Sequence, residues 1–246
     1  MAALIEMKGI QKRFGAMHVI RGVNFSIDEA EVVGLVGDNA AGKSTLMKIL
    51  AGLYTRDEGE VTIGGEQLPS GDPAEARRLG VEMVYQDFAL APHLTVAENV
   101  TLGREPTRFT ENGFFLNRDK MLKTSLDVLA DLDTDIPSPN RPVADLSGGQ
   151  RQMVAIARAL CFSPRLIIMD EPTANISVSK VATLLEVIKQ LKQKGIATII
   201  ISHRLSDIFE VADRVVVLRH GEVRAERKIS ETNSREVADL MMGVTA

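Results

Sequence analysis

The run Gly37-Asp38-Asn39-Ala40-Ala41-Gly42-Lys43-Ser44, followed by Thr45, gathers two glycines, an ammonium and a hydroxyl into one short segment. Glycine, four residues, then Gly-Lys-Ser is a spacing suited to phosphate. The backbone can come close to an anion and present its N–H groups, the lysine can reach the outer phosphate oxygens, and the serine hydroxyl can ligate Mg²⁺. A second acidic site stands at Leu166-Ile-Ile-Met169-Asp170-Glu171, an apolar strand that ends in two carboxylates. In α/β proteins ligands bind at the carboxyl edge of the sheet. Asp170 is therefore expected to hold a metal ion, directly or through water, and Glu171 to accept a proton from an attacking water or to orient it.

These residues need elements to position them. Val32–Val36 reads as the strand before the loop, and Leu46, Met47, Ile49, Leu50 and Leu53 recur at helical spacing behind it, with Gly52 near the helix end. Strands are also expected at Leu4–Gly9, Val19–Ile27 and Glu60–Ile63, the last followed by a turn at Gly64-Gly65. From about residue 95 to 160 helical patterns take over, notably at Asp119–Leu132 and Gly149–Leu160, separated by the proline-rich stretch 136–142. After that lobe, Leu166–Met169, Val178–Lys194, Ala197–Ile201, Leu205–Val211 and Arg214–Leu218 alternate as strand and helix, the pattern of a mostly parallel sheet covered on both faces. Glu222–Arg227 should pair back as a hairpin through His220-Gly221, and Ser234–Met242 should close as a helix. The fold class is α/β, with an antiparallel β subdomain at the N-terminal side and an inserted helical subdomain.

Composition bounds the function. The 246 residues are 45% apolar and 25% charged, which fits one large globular domain carrying an inserted lobe. Basic and acidic residues number 29 and 33, so a net charge of −4 gives no general attraction to nucleic acid or anionic lipid. No apolar run reaches membrane-spanning length, and the start lacks the pattern of a signal peptide, so a cytoplasmic chain is expected whose membrane connection runs through a protein partner. Cys161, with no second cysteine, is read as a packing residue.

Leu146-Ser147-Gly148-Gly149-Gln150 is the most specific feature. Together with the phosphate loop and the acidic strand, in the same order over essentially the whole chain, it resembles the ATP-binding cassette (ABC) ATPases. The resemblance implies a P-loop ATPase fold in a single nucleotide-binding domain, with ATP and Mg²⁺ as ligands. The small residues of Ser147–Gln150, at a helix start, would approach the γ-phosphate bound by another subunit. Phe14 would stack on adenine, Gln86 would sense Mg²⁺ and the attacking water, and His203 would contact the γ-phosphate. Two positions depart from the family pattern: Ala40 stands where glycine is common, and Ala174-Asn175-Ile176-Ser177 replaces Ala-Leu-Asp or Ala-Ala-Leu-Ser. Alanine at residue 40 is costly if its backbone needs a positive φ.

The stretches Thr95–Glu105 and Ile201–Arg214 are similar to cassettes that power uptake of simple sugars such as ribose, galactose, xylose or fructose. Each motif occurs once here, so a homodimer would supply two complete sites. The partners implied are integral membrane permease subunits, with a periplasmic sugar-binding protein acting indirectly, and the chain would sit on the inner face of the cytoplasmic membrane. Two alternatives stay open at this point: a soluble cassette used as an ATP-gated clamp, and an importer of a non-sugar substrate. The loop Asp87–Leu94, with Phe88, Leu90 and Leu94 around Pro92, is expected either to fold onto the lobe or to meet a permease helix.

Overall fold

The structure, a computed structural model, describes residues 3–110, 113–132 and 136–243. In chain order the elements are β1 (Ile5–Phe14), β2 (Met17–Ile27), β3 (Val32–Val36), α1 (Lys43–Leu50), β4 (Glu58–Ile63), β5 (Glu66–Gln67), α2 (Pro73–Arg78), β6 (Val81–Val84), α3 (Val96–Thr101), β7 (Thr107–Thr110) and β8 (Gly113–Leu116). They continue with α4 (Arg118–Asp131), α5 (Gly148–Leu160), β9 (Leu166–Asp170), α6 (Val178–Gln193), β10 (Ala197–Ile201), α7 (Leu205–Val211), β11 (Arg214–Arg219), β12 (Glu222–Lys228) and α8 (Ser234–Met242). Two compact units divide the chain. One comprises Met1–Met83, Pro164–Pro172 and Leu185–Ala246, the other Val84–Ser163 and Thr173–Leu184.

The first unit is built on a six-stranded sheet of order β12-β11-β3-β10-β9-β6. Strands β3, β10 and β11 run parallel, as do β10 and β9, while β12 closes the edge antiparallel to β11. Every residue of β3 and β10 is buried, which is why these strands show no inside–outside alternation and carry only one polar side chain, that of Thr198. Register sets the strand ends side by side: Leu35 pairs with Ile201, and Ile201 pairs with Asp170. The carboxyl ends of β3, β10 and β9 thus form one edge.

A second sheet, of order β2-β1-β4-β5, is antiparallel. Ile5, Met7 and Ile10 on β1 and Val23, Phe25 and Ile27 on β2 are buried, so only one face of this ribbon is apolar. Strand β1 runs on to Phe14, past the expected end at Gly9. A bulge between Met7 and Ile10 absorbs the break in alternation, and the Gly9 N–H donates to Asn24 Oδ1 at 2.8 Å.

In the second unit α3, α4 and α5 pack together. Thr95 caps α3 in a reciprocal box with Glu98, and Asn117 caps α4. The buried Asn99 side chain accepts from the Ala91 N–H at 2.8 Å and donates to its carbonyl at 3.0 Å, bracing the loop ahead of α3. The stretch is not wholly helical, because β7 and β8 pair as a hairpin within it. Short elements absent from the sequence reading, α2 and β6, lie before the unit begins or at its first residue.

At Gly34, in the middle of β3, an added Cβ would lie 2.4 Å from Ile208 Cγ2 of α7. Gly34→Val is accordingly predicted to destabilise the protein by about 1–3 kcal/mol through overpacking. A denaturant midpoint unchanged from wild type would refute that.

Candidate nucleotide-binding site

Strand β3 delivers the chain to the sheet edge, where residues 37–42 turn into α1. A Cβ at Gly37 would sit 2.0 Å from the Leu218 carbonyl oxygen, and one at Gly42 would sit 2.6 Å from Ile20 Cδ1. Neither position admits a side chain. Ala40 has φ 64°, so the condition under which alanine is costly there is met, at about 1–2 kcal/mol relative to glycine. The Lys43 ammonium donates to the carbonyls of Gly37 at 2.9 Å and Asp38 at 3.0 Å, closing the loop on itself. Within the turn the Ala41 N–H donates to the Asp38 carbonyl at 3.1 Å and the Asn39 N–H to the Asp38 carboxylate at 2.7 Å. Helix α1 has no side-chain cap, unlike α3 and α5, and no acid in its first turn. That is the charge balance of a helix start suited to an anion.

Asp170 ends β9 beside this loop, and the Ser44 hydroxyl donates to its carboxylate. Burial raises the Asp170 carboxyl above the usual range, against the Ser44 hydrogen bond and the charges of Lys48 and Lys43. Burial likewise lowers the Lys43 ammonium, against the pull of Glu171, Asp170 and Asp38. A hydroxyl and a carboxylate are hard oxygen donors, the set Mg²⁺ takes when phosphates and waters complete its octahedron.

One residue further, Glu171 is held in the left-handed region at φ 49°, with its N–H donating to the Ile201 carbonyl at 2.9 Å. This conformation costs a non-glycine residue about 1–3 kcal/mol and is the kind of strain found at working sites. The Glu171 carboxylate lies 2.8 Å from His203 Nδ1, with side-chain exposures of 17% and 66%. The acid is sheltered while its histidine partner is open to solvent. Phe14 is 45% exposed at the end of β1, edge-on to Tyr54 at 5.6 Å, with the Lys12 ammonium 5.3 Å from its ring centre.

In the second unit Ser147 caps α5 through a reciprocal box, accepting from the Gln150 N–H at 3.3 Å while its own N–H donates to Gln150 Oε1 at 3.0 Å. The helix starts at Gly148, one residue earlier than expected. A Cβ at Gly148 would lie 2.4 Å from the Asn175 carbonyl, and the carbonyl of Gln86 accepts from the Asn175 side-chain amide at 2.8 Å. The structure thus gathers Lys43, Ser44, Asp170, Glu171 and His203 in the first unit, and Gln86, Ser147, Gly148, Gly149 and Gln150 in the second. Sequence reasoning missed Lys48 beside Asp170, Tyr54 against Phe14, and Arg158, which donates to the Phe88 and Ala89 carbonyls. Only Lys48 carried a local signal, since it follows Ser44 by four residues on the same helix face.

The raised Asp170 carboxyl has a linkage consequence. An acid whose folded pKa exceeds its unfolded value binds its proton more tightly in the native state, so folding stability falls as pH rises through the folded pKa. Asp170→Asn removes that cost. The ligand-free variant is predicted to gain denaturant resistance over wild type at neutral pH, and the gain should vanish below the ordinary carboxylate range. A gain independent of pH in parallel titrations would contradict the assignment.

With the geometry in place, comparison with known proteins identifies the family. The ABC transporter family model matches residues 20–174. Over 98% of its length the chain is 44% identical to the xylose/arabinose import ATP-binding protein of Sulfolobus acidocaldarius, covering 94% of that protein. It is 42% identical over 99% of its length to a ribose import ATP-binding protein of Rubrobacter xylanophilus, but covers only 48% of it. A galactose/methyl galactoside import ATP-binding protein of Treponema denticola is 37% identical, with 47% covered, so the chain spans about half the length of these two relatives. Among solved structures, a nucleotide-free ATP-binding cassette from an ABC transporter superposes with a TM-score of 0.82 at 26% identity, covering 99% of this chain and 96% of that one. An ATP-binding cassette solved as a dimer in a post-hydrolysis state with ADP and Pi gives 0.77 at 28% identity, covering 92% of this chain and 98% of that one. Phosphate loop, acidic strand end and whole-chain likeness agree: the chain belongs to the ABC transporter family.

Proposed function

We propose that this chain is the ATP-hydrolysing subunit of an ABC importer for a simple sugar, a single nucleotide-binding domain acting as a homodimer. One observation carries the reading: an uncapped helix start lined by glycine meets a Ser44–Asp170 pair and a Glu171–His203 pair at neighbouring strand ends. The sugar assignment draws on the relatives, which are named for import of xylose, arabinose, ribose and galactose. A soluble clamp has no such support.

Each residue then takes a role. The N–H groups of residues 37–45 and the Lys43 ammonium bind the phosphates, and Phe14 offers a ring for the base. Ser44 and Asp170 would hold Mg²⁺, and Gln86 keeps the Mg²⁺-sensing role that the resemblance implies; the ion would supply charge neutralisation at the phosphate oxygens. Glu171 takes the proton of the attacking water or orients it, and His203, hydrogen-bonded through Nδ1, keeps that carboxylate in position and has Nε2 for the γ-phosphate side. The Ser147–Gln150 helix start serves the nucleotide held by a second copy, which makes dimerisation depend on ATP through linkage.

Among the described residues no helix is long and apolar enough to cross a membrane. Membrane permease subunits are therefore the proposed anchor on the inner face of the cytoplasmic membrane, with a periplasmic sugar-binding protein acting through them and no role for nucleic acid.

Glu171→Gln tests the chemistry and the assembly together. Steady-state ATP hydrolysis should fall by about 10²–10⁴-fold while ATP still binds. Sedimentation of the variant should shift from monomer to dimer on adding Mg-ATP. Near wild-type hydrolysis would sink the role of Glu171, and an unchanged monomer at saturating Mg-ATP would sink the shared site.

A further inference from the structure

Two contacts in the second unit involve Asn175, a residue that departs from the family pattern. The Asn175 side-chain amide donates to the Gln86 carbonyl at 2.8 Å. The Asn175 backbone carbonyl packs against Gly148, where any Cβ would approach to 2.4 Å. Asn175 also follows Glu171 by four residues in the chain. Downstream of Gln86, Phe88 and Ala89 both adopt left-handed backbone, with φ 65° and 45°. The Arg158 guanidinium, from α5, donates to their carbonyls at 3.1 Å and 2.6 Å. The loop carrying Gln86 is thus held by its backbone carbonyls, from the segment after Glu171 on one side and from α5 on the other.

We infer that Asn175 is a positioning residue for hydrolysis: its amide fixes the backbone of Gln86, and through it the placement of the Gln86 side chain. An alanine at this position, as the sugar-import pattern has, offers no donor. A backbone carbonyl released from its partner leaves the peptide between Gln86 and Asp87 less constrained, while Arg158 continues to hold the Phe88 and Ala89 carbonyls downstream. Because the donor acts on a main-chain atom, changing the side chain of Gln86 leaves the hydrogen bond intact, and removing the bond leaves the Gln86 side chain intact. The two contributions can therefore be separated. This inference rests on the proposed role of Gln86 at the nucleotide site.

The test is steady-state ATP hydrolysis by the purified full chain carrying Asn175→Ala, Asn175→Asp, Gln86→Ala or both alanines. N175A should lower kcat by roughly threefold to tenfold, the worth of one net hydrogen bond, with KM for ATP within about twofold of wild type. In N175D an ionised carboxylate faces a carbonyl and should lower kcat further. Protonation converts that carboxylate into an O–H donor, so the ratio of N175D to wild-type kcat should rise as pH falls through the carboxylate range, while the N175A ratio stays flat. The double variant should be no slower than Q86A alone, because both act through one group.

A flat N175D ratio, or additive losses in the double variant, would overturn the positioning role. Loss of kcat in Q86A with wild-type behaviour in N175A would overturn it while leaving the role of Gln86 standing. Wild-type kcat in Q86A would instead remove the role of Gln86, and with it this inference.

Discussion

The hydrogen bonds from the Lys43 ammonium to the Gly37 and Asp38 carbonyls are the interaction on which the site depends. They close a six-residue turn on itself at the end of a buried strand, where α1 starts. An ammonium is removed from water for this purpose, and its pKa falls in consequence. Three carboxylates, at Glu171, Asp170 and Asp38, keep the charge tolerable. The glycines at 37 and 42 follow from the same demand, because the turn passes within contact distance of Leu218 and Ile20. Sheet, turn and acids are parts of one arrangement: the parallel register that aligns Leu35, Ile201 and Asp170 brings the opposite charges to the lysine.

Backbone strain is concentrated where chemistry is proposed. Outside glycine, positive φ occurs at Ala40, Phe88, Ala89 and Glu171, all in or next to motif segments, and also at Ala30, Ser163 and His220 in connecting turns. At Glu171 the surrounding hydrogen bonds, from its N–H to the Ile201 carbonyl and from His203 Nδ1 to its carboxylate, over-determine the conformation. The same logic applies to Phe88 and Ala89, held by Arg158. A local energetic cost is met by contacts from elsewhere in the same unit.

Much of this was legible in the sequence, for identifiable reasons. Helix α8 was readable residue for residue because Asn233 caps it and Gly243 ends it in left-handed backbone. The buried strands β9 and β10 were readable from their unbroken apolar runs. The hairpin β7–β8 was not, since its short strands lie within a stretch of helical periodicity and leave Phe109, Phe115 and Leu116 exposed, against the usual inside–outside signal. The end of β1 was misplaced because a bulge, not a strand end, lies at Gly9. At the site, the glycine loop and the strand-end acids announced themselves by type and spacing. The contacts of Tyr54, Arg158 and Asn175 did not, as they are made by packing between segments far apart in the chain.

The strand order also dictates when this protein can fold as it is made. Strands β1, β2 and β4 find one another between Ile5 and Ile63, so their ribbon can form on a short nascent segment. Strand β3 cannot, because its two neighbours are β10 and β11: Val32 waits for Thr198, and Val33 for Arg214. Until that distant stretch leaves the ribosome, a wholly apolar strand has no sheet to enter, the phosphate loop has no floor, and the second unit emerges first. Competence to hold nucleotide therefore waits until Thr198 and Arg214 have been made, and the interval before that is when Val32–Val36 is most exposed to wrong partners.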